Sequence, residues 1–189
     1  MGQELSHLFN SENAETTYQR YRKLAGDEAK LRNECFAQSQ SAFKSRQGLK
    51  AKELSQKGKE HGKKMEQYNS KAVEVIFNEN NKNRPPNELD LHGLYVKEAL
   101  LKTELKIQYC KTKNIDNLTI IVGRGKHSSN GVAKLKPAIA ELMEKYQFRC
   151  ILDKPTVGCL YVEFVYNGAE QDKLPNAQTV VFTDVKKVC

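Results

Sequence analysis

The chain has 189 residues, a formal net charge of +8, a pI near 9.2, a mean hydropathy of -0.69 and no Trp. That length allows one domain of ordinary size with an extension, or two small ones; no apolar stretch is long enough to span a bilayer and no secretory h-region is visible, so a cytoplasmic protein is expected. The five cysteines, Cys35, Cys110, Cys150, Cys159 and Cys189, show no CxxC spacing and are odd in number, which argues against both a zinc ribbon and a disulfide framework.

Residues 1–12 read as a flexible leader. Residues 13–83 read as a basic helical extension. From Ala14 to about Arg46 the apolar positions Tyr18, Tyr21, Ala25, Ala29, Phe36 and Phe43 fall on one helical face, with Gly26 interrupting the pattern and Gly48 punctuating its end. From Leu49 to about Asn80, Ala51, Leu54, Gly58, His61, Met65, Tyr68, Ala72 and Val75 alternate steps of three and four, the seam of a helix packed on another. Gly58 would allow a close approach, and His61 is expected to pack in the seam rather than bind a ligand. An antiparallel two-helix hairpin follows. Between Asn13 and Arg84, 16 Lys and Arg face 9 Asp and Glu, so this half carries +7. Such a surface attracts nucleic acid and acidic partners alike.

Residues 84–87 are polar and proline-containing, an interdomain linker. Beyond them the pattern predicts a strand at 88–92, a helix from Val96 to about Lys111 with Ala99, Leu100, Thr103 and Ile107 inward, and a strand at 118–122. A second helix begins near Ala133, with Pro137 in its first turn, and ends near Tyr146 with Leu135, Ile139, Leu142 and Met143 inward. Strands at 148–153 and 159–165 close the domain, which is assigned residues 88–166. Alternating strand and helix favour a parallel core with an antiparallel final strand. The C-terminal extension, 167–189, contains a candidate edge strand at Thr179 to Phe182.

Two segments carry chemistry. Leu89-Asp90-Leu91-His92-Gly93 ends the first strand, where alternation turns Leu89 and Leu91 inward and makes Asp90 and His92 neighbours on the other side. Gly123-Arg124-Gly125-Lys126-His127-Ser128-Ser129-Asn130-Gly131 follows the second strand as a glycine-rich loop leading to a helix, a geometry that presents backbone N–H groups to anions. The pair of segments, with the helix between them, resembles the two signature motifs of the Smr (small MutS-related) domain over roughly Glu88 to Phe164. The resemblance implies an α+β fold: the helical hairpin, then a compact βαβαββ domain with a mixed sheet, similar to the C-terminal domain of a bacterial translation initiation factor. It further implies nucleic-acid binding and, in several members, RNA cleavage.

Cleavage of RNA by its own 2′-hydroxyl requires a proton acceptor, a proton donor for the leaving oxygen, and neutralisation of the phosphorane. An imidazole, whose unperturbed pKa is about 6.5, suits proton transfer near neutrality. His92 is therefore the candidate acid/base, Asp90 the group that orients it or shares the base role, and Arg124 the neutralising cation. The resemblance also points to these three. Gly123, Gly125, Lys126, His127 and Ser128 are the expected phosphate-binding set, with His127 a second acid/base. The loop is not a Walker A sequence, because Lys126 is followed by His127. No cofactor is required; a divalent cation would use Asp90, His92 and His127, although no carboxylate cluster of the kind Mg²⁺ favours is present.

The expected function is an RNA-binding endoribonuclease acting on single-stranded or structured RNA, in a messenger or ribosome-linked quality-control setting that the resemblance alone suggests. The residues leave other readings open: a non-catalytic nucleic-acid-binding module, DNA binding or nicking, or a module whose helical extension engages the ribosome or a protein partner.

Overall fold

Asn13 opens the first element by accepting the Glu15 N–H on its side chain at 3.2 Å. In the computed structural model, which describes residues 13–125 and 133–164, helix α1 spans Ala14–Lys44 and α2 spans Gly48–Asn81. The seam between them is built from small side chains: Ala25, Ala42, Ala51, Gly58 and Ala72 are buried. A Cβ on Gly58 would stand 2.6 Å from the Phe36 ring, so the glycine seats an aromatic side chain against the α2 backbone. Polar rungs fix the register: Arg22 donates to Asn69 at 2.7 Å, His61 Nδ1 lies 2.6 Å from Glu28 Oε2, and Ser39 donates to the Ala51 carbonyl at 2.7 Å. The histidine of the seam is thus a satisfied packing residue.

Three details differ from the sequence pattern. Helix α1 runs through Gly26 without a break, with open space where its Cβ would be. The turn is punctuated at Arg46 (φ 59°) rather than at Gly48. Arg46 N–H bonds to Phe43 O and Gln47 N–H to Ala42 O, a left-handed closure that satisfies the last carbonyls of α1. Phe43, predicted on the inward face, is 73% exposed, because Ala42 occupies the seam there.

The second unit begins at Arg84. It comprises β1 (Glu88–Asp90), α3 (Val96–Thr112), β2 (Asn117–Ile121), α4 (Leu135–Lys145), β3 (Arg149–Leu152) and β4 (Cys159–Glu163). The sheet order is β1-β2-β4-β3, with β1 and β2 parallel and β4 antiparallel to both β2 and β3. The parallel core is therefore limited to one pair. The last strand is antiparallel as expected, but it inserts between β2 and β3, where it caps the hydrogen-bonding edges of both.

Cross-strand partners share a face. Leu89, Ile120 and Leu160 form one row and Leu118 and Val162 another, all at most 2% exposed. Ala99, Thr103, Ile107 and Cys110 from α3, with Ile139, Leu142 and Met143 from α4, are the buried helical residues that cover these rows. Leu100 and Leu135, both predicted inward, are only half-buried. Pro137 sits in the first turn of α4, where its missing N–H costs nothing. Glu88, Asp90, Thr119, Ile121, Ile151 and Tyr161 lie on the opposite face. Among the described residues no helix is long and apolar enough to cross a membrane. The predicted edge strand at Thr179 to Phe182 lies outside them.

Candidate active site

Strand β1 stops at Asp90, and the chain bends immediately afterwards: Leu91 N–H still reaches the Ile121 carbonyl at 2.8 Å, while Gly93 takes a φ of 83°. Leu91 is fully buried, which anchors the bend. Asp90 is 1% exposed, and its carboxylate organises everything around it. Oδ1 accepts the His92 backbone N–H at 3.0 Å and lies 2.6 Å from His92 Nδ1. Oδ2 accepts Arg84 Nη2 at 2.5 Å.

A buried carboxylate facing Nδ1 selects the tautomer in which Nδ1 carries the proton. The lone pair of the neutral imidazole then resides on Nε2. The His92 side chain is 53% exposed, so an acid/base group held from behind by a buried anion is presented to solvent.

Arg84 was assigned to the linker on sequence; structurally it belongs to the site. Its guanidinium spans two carboxylates on one side of the strand, Glu88 Oε2 at 3.1 Å and Asp90 Oδ2. Taking Asp90 out of water is costly unless it is paired and hydrogen-bonded, and Arg84, His92 and the His92 amide supply those partners. Two-residue alternation gives no signal for this arrangement, because a turn closed by Glu88 N–H on the Pro85 carbonyl at 3.0 Å separates Arg84 from the strand.

The glycine-rich loop begins directly behind His92. Gly123 has φ 75°, and a Cβ there would sit 3.7 Å from His92 Cβ, so the first residue of the second motif packs on the last polar residue of the first. Arg124 is exposed at this junction. Gly125 (φ 76°) brings the chain against the Ala133 backbone, where a Cβ would meet Cα and N at 2.7 Å. Lys126, His127 and Ser128 lie outside the described residues. Asp90, His92, Gly123 and Arg124 are thus brought together.

A third segment, which the sequence marks only as a turn at Pro155 and Gly158, supports this junction. The Gly158 carbonyl accepts both Val122 N–H (2.9 Å) and Gly123 N–H (3.1 Å). Gly158 has φ 93°, and a Cβ would lie 3.0 Å from Gly123 C and 3.4 Å from Arg124 Cγ. Only glycine fits this combination of dihedral and space. Gly158→Ala is expected to cost about 1–3 kcal/mol through left-handed strain and displacement of Gly123. Thermal unfolding together with loss of phosphate-loop function would register it; an unchanged melting temperature would show that the turn yields at no cost.

Gly158 is itself held by Asp153, whose Oδ1 accepts the Gly158 N–H at 3.0 Å and the Lys136 ammonium at 2.6 Å. The Lys136 hydrogen bond first, and the Gly158 N–H second, hold the Asp153 carboxyl below its ordinary value. A depressed carboxylate contributes stability above the unfolded pKa, about 3.9, and that contribution is lost as pH falls through the folded value. The Gly158 amide resonance is expected to titrate with a midpoint below this value, and Lys136→Met should move the midpoint up. A midpoint indifferent to Lys136→Met would remove the lysine from the network.

Among the described residues no group of three or more His, Cys, Asp or Glu side chains is arranged to hold a metal ion. Both Asp90 oxygens are engaged by Arg84 and His92. His127, the third ligand considered for a cation, is outside the described residues.

Comparison with known proteins finds matches to two separate stretches of the chain. A family model described as the Smr domain matches residues 89–153, and one described as a domain of unknown function, DUF1771, matches residues 18–81. The chain is 44% identical over 146 residues to Endonuclease NBR9 of Saccharomyces cerevisiae, covering 77% of this chain and 61% of that protein. It is 42% identical over 132 residues to an Smr domain-containing protein of Schizosaccharomyces pombe, covering 70% and 64% respectively. It therefore spans somewhat under two thirds of the length of either relative. Among solved structures, the solution structure of the B3BP Smr domain is 38% identical, with a TM-score of 0.39, covering 51% of this chain and 96% of that one. With a DUF1771 region before the Asp90–His92 motif and the glycine-rich loop after it, the chain belongs to the Smr-domain family.

Proposed function

We propose that this chain is an RNA-binding endoribonuclease that cleaves internal phosphodiester bonds by attack of the neighbouring 2′-hydroxyl. The observation that carries the reading is the exposed His92 side chain, its ring backed by buried Asp90 and its Cβ beside Gly123, which precedes Arg124. His92 Nε2 takes the 2′-hydroxyl proton, the O2′–P bond forms, and the P–O5′ bond breaks. Arg124 and the loop N–H groups neutralise the phosphorane, and the departing 5′ oxygen takes a proton from His127 or from water. A nuclease relative, Endonuclease NBR9, supports the class of reaction. The helical region, with most of the excess positive charge, is suited to gathering RNA through its phosphates.

Incubation of the full chain with end-labelled RNA in EDTA tests this directly. Internal cleavage is expected, leaving 2′,3′-cyclic phosphate and 5′-hydroxyl ends, and a substrate with 2′-deoxyribose at the cut position should be inert. Cleavage of the deoxy substrate, or 5′-phosphate ends, would overturn the mechanism in favour of an activated water. Binding without cleavage would leave a non-catalytic RNA module.

A further inference from the structure

The two faces of the sheet differ. The face toward α3 and α4 is buried except at the β3 edge, where Cys150 is half-buried and Leu152 exposed. On the other face, from which Asp90 projects, Asp90 and Cys159 are buried, whereas Thr119, Ile121, Ile151 and Tyr161 are half-buried. Tyr161 stands on β4, an interior strand, with Thr119 and Ile151 as its cross-strand neighbours. The Lys154 ammonium lies 4.8 Å from the centre of its ring. Lys154 is exposed, and among the described residues no carboxylate is within salt-bridge distance of it.

Charge on this face does not repel an anion. Glu88 and Asp90 share the Arg84 guanidinium and Glu163 is paired with Arg149 at 2.9 Å, three carboxylates against two guanidinium groups, and the Lys154 ammonium brings the sum to zero. What remains is a half-buried aromatic ring with an exposed ammonium over its face, on the same side of the sheet as Asp90. Single-stranded nucleic acid offers the complement of both: a base for the ring and a phosphate for the ammonium. Tyr161 is two strands across and two residues along from Asp90, roughly 12 Å between backbones. Neighbouring nucleotides of one strand bridge such a gap.

We propose that the sheet face opposite α3 and α4 is a nucleotide subsite around Tyr161, in which Tyr161 stacks on a base flanking the scissile phosphate and Lys154 contacts the adjoining phosphate. This inference rests on the RNA reading above and adds the path that the strand follows. An aliphatic protein segment would be satisfied by Ile121 and Ile151 as readily as by the ring, so the π face of Tyr161 is what separates RNA from a protein occupant.

The experiment uses the full chain with a short single-stranded RNA carrying 2-aminopurine at successive positions and 2′-deoxyribose at the cut site. Wild type and Tyr161→Phe are expected to bind alike and to quench one labelled position; Tyr161→Leu should bind about tenfold more weakly and abolish that quenching. Lys154→Ala should flatten the dependence of log affinity on log salt by about 0.7. Binding and quenching preserved in Tyr161→Leu would overturn the subsite while leaving the RNA reading intact. Failure of the wild type to bind any RNA would instead overturn the RNA reading itself. Should Tyr161→Leu fail to fold by circular dichroism, Lys154→Ala decides, because its side chain is exposed: an unchanged salt slope rejects the subsite. Equal loss in Tyr161→Phe would assign the contact to the phenol hydroxyl and reject stacking.

Discussion

His92→Ala is expected to slow RNA cleavage by about 10²–10⁴-fold, the usual contribution of a positioned general acid or base. RNA affinity should stay close to that of the wild type, because the ring is held by Asp90 and the phosphate contacts are assigned to the loop. Single-turnover kinetics separate the two quantities, since a residue used only in the transition state lowers kcat without raising KM. Exposure makes the variant informative: with 53% of the His92 side chain in solvent, its removal leaves little cavity. Exogenous imidazole should restore part of the rate. Full activity in His92→Ala would move the proton transfer elsewhere, with His127 the next residue to replace.

Arg84→Met is expected to have the largest effect on stability, about 2–4 kcal/mol, because it removes the guanidinium from a buried carboxylate. The Arg84 side chain is itself 31% exposed, which keeps the cost toward the lower end. Catalysis should fall as well, since Asp90 would be left to His92 alone and the ring would lose its fixed backing. Arg84→Lys should recover little: one ammonium cannot reproduce the fork that reaches Glu88 and Asp90 together. The double variant Arg84→Met with Asp90→Asn should be more stable than the sum of the single changes predicts, because no uncompensated charge remains. Denaturant unfolding of the four proteins measures that coupling; additivity would show that the pair contributes nothing.

What was legible was local. The motif predicted Asp90 and His92 as neighbours, but it is the bend after Asp90, with the His92 N–H on Asp90 Oδ1, and not strand alternation that brings them together. The 3.6-residue period, with Gly58 and His61 in their places, gave the hairpin. What escaped depends on contacts between segments distant in sequence. The burial of Asp90 follows from Arg84, six residues earlier and beyond two prolines that read as linker. The left-handed turn at Gly158 is meaningful only once β4 lies beside β2 and places it against Gly123. Strand order escaped for the same reason: pattern gives the direction a segment faces, but insertion of β4 between β2 and β3 is decided by which edges need closing. Phe43 was misplaced because an apolar residue at nearly the right helical angle was displaced by the smaller Ala42.

The bridge from Arg84 to Asp90 also bears on how this domain travels between proteins. Similarity to the family runs over residues 89–153, yet the guanidinium that stabilises the buried acid precedes that stretch and the carbonyl that braces Gly123 follows it. A graft of the matching stretch alone would carry the reactive pair into a new host stripped of both supports. The smallest portable unit therefore extends from Arg84 to the end of β4, and recombination within 84–88 or 154–158 would pass on the motif without the means to hold it.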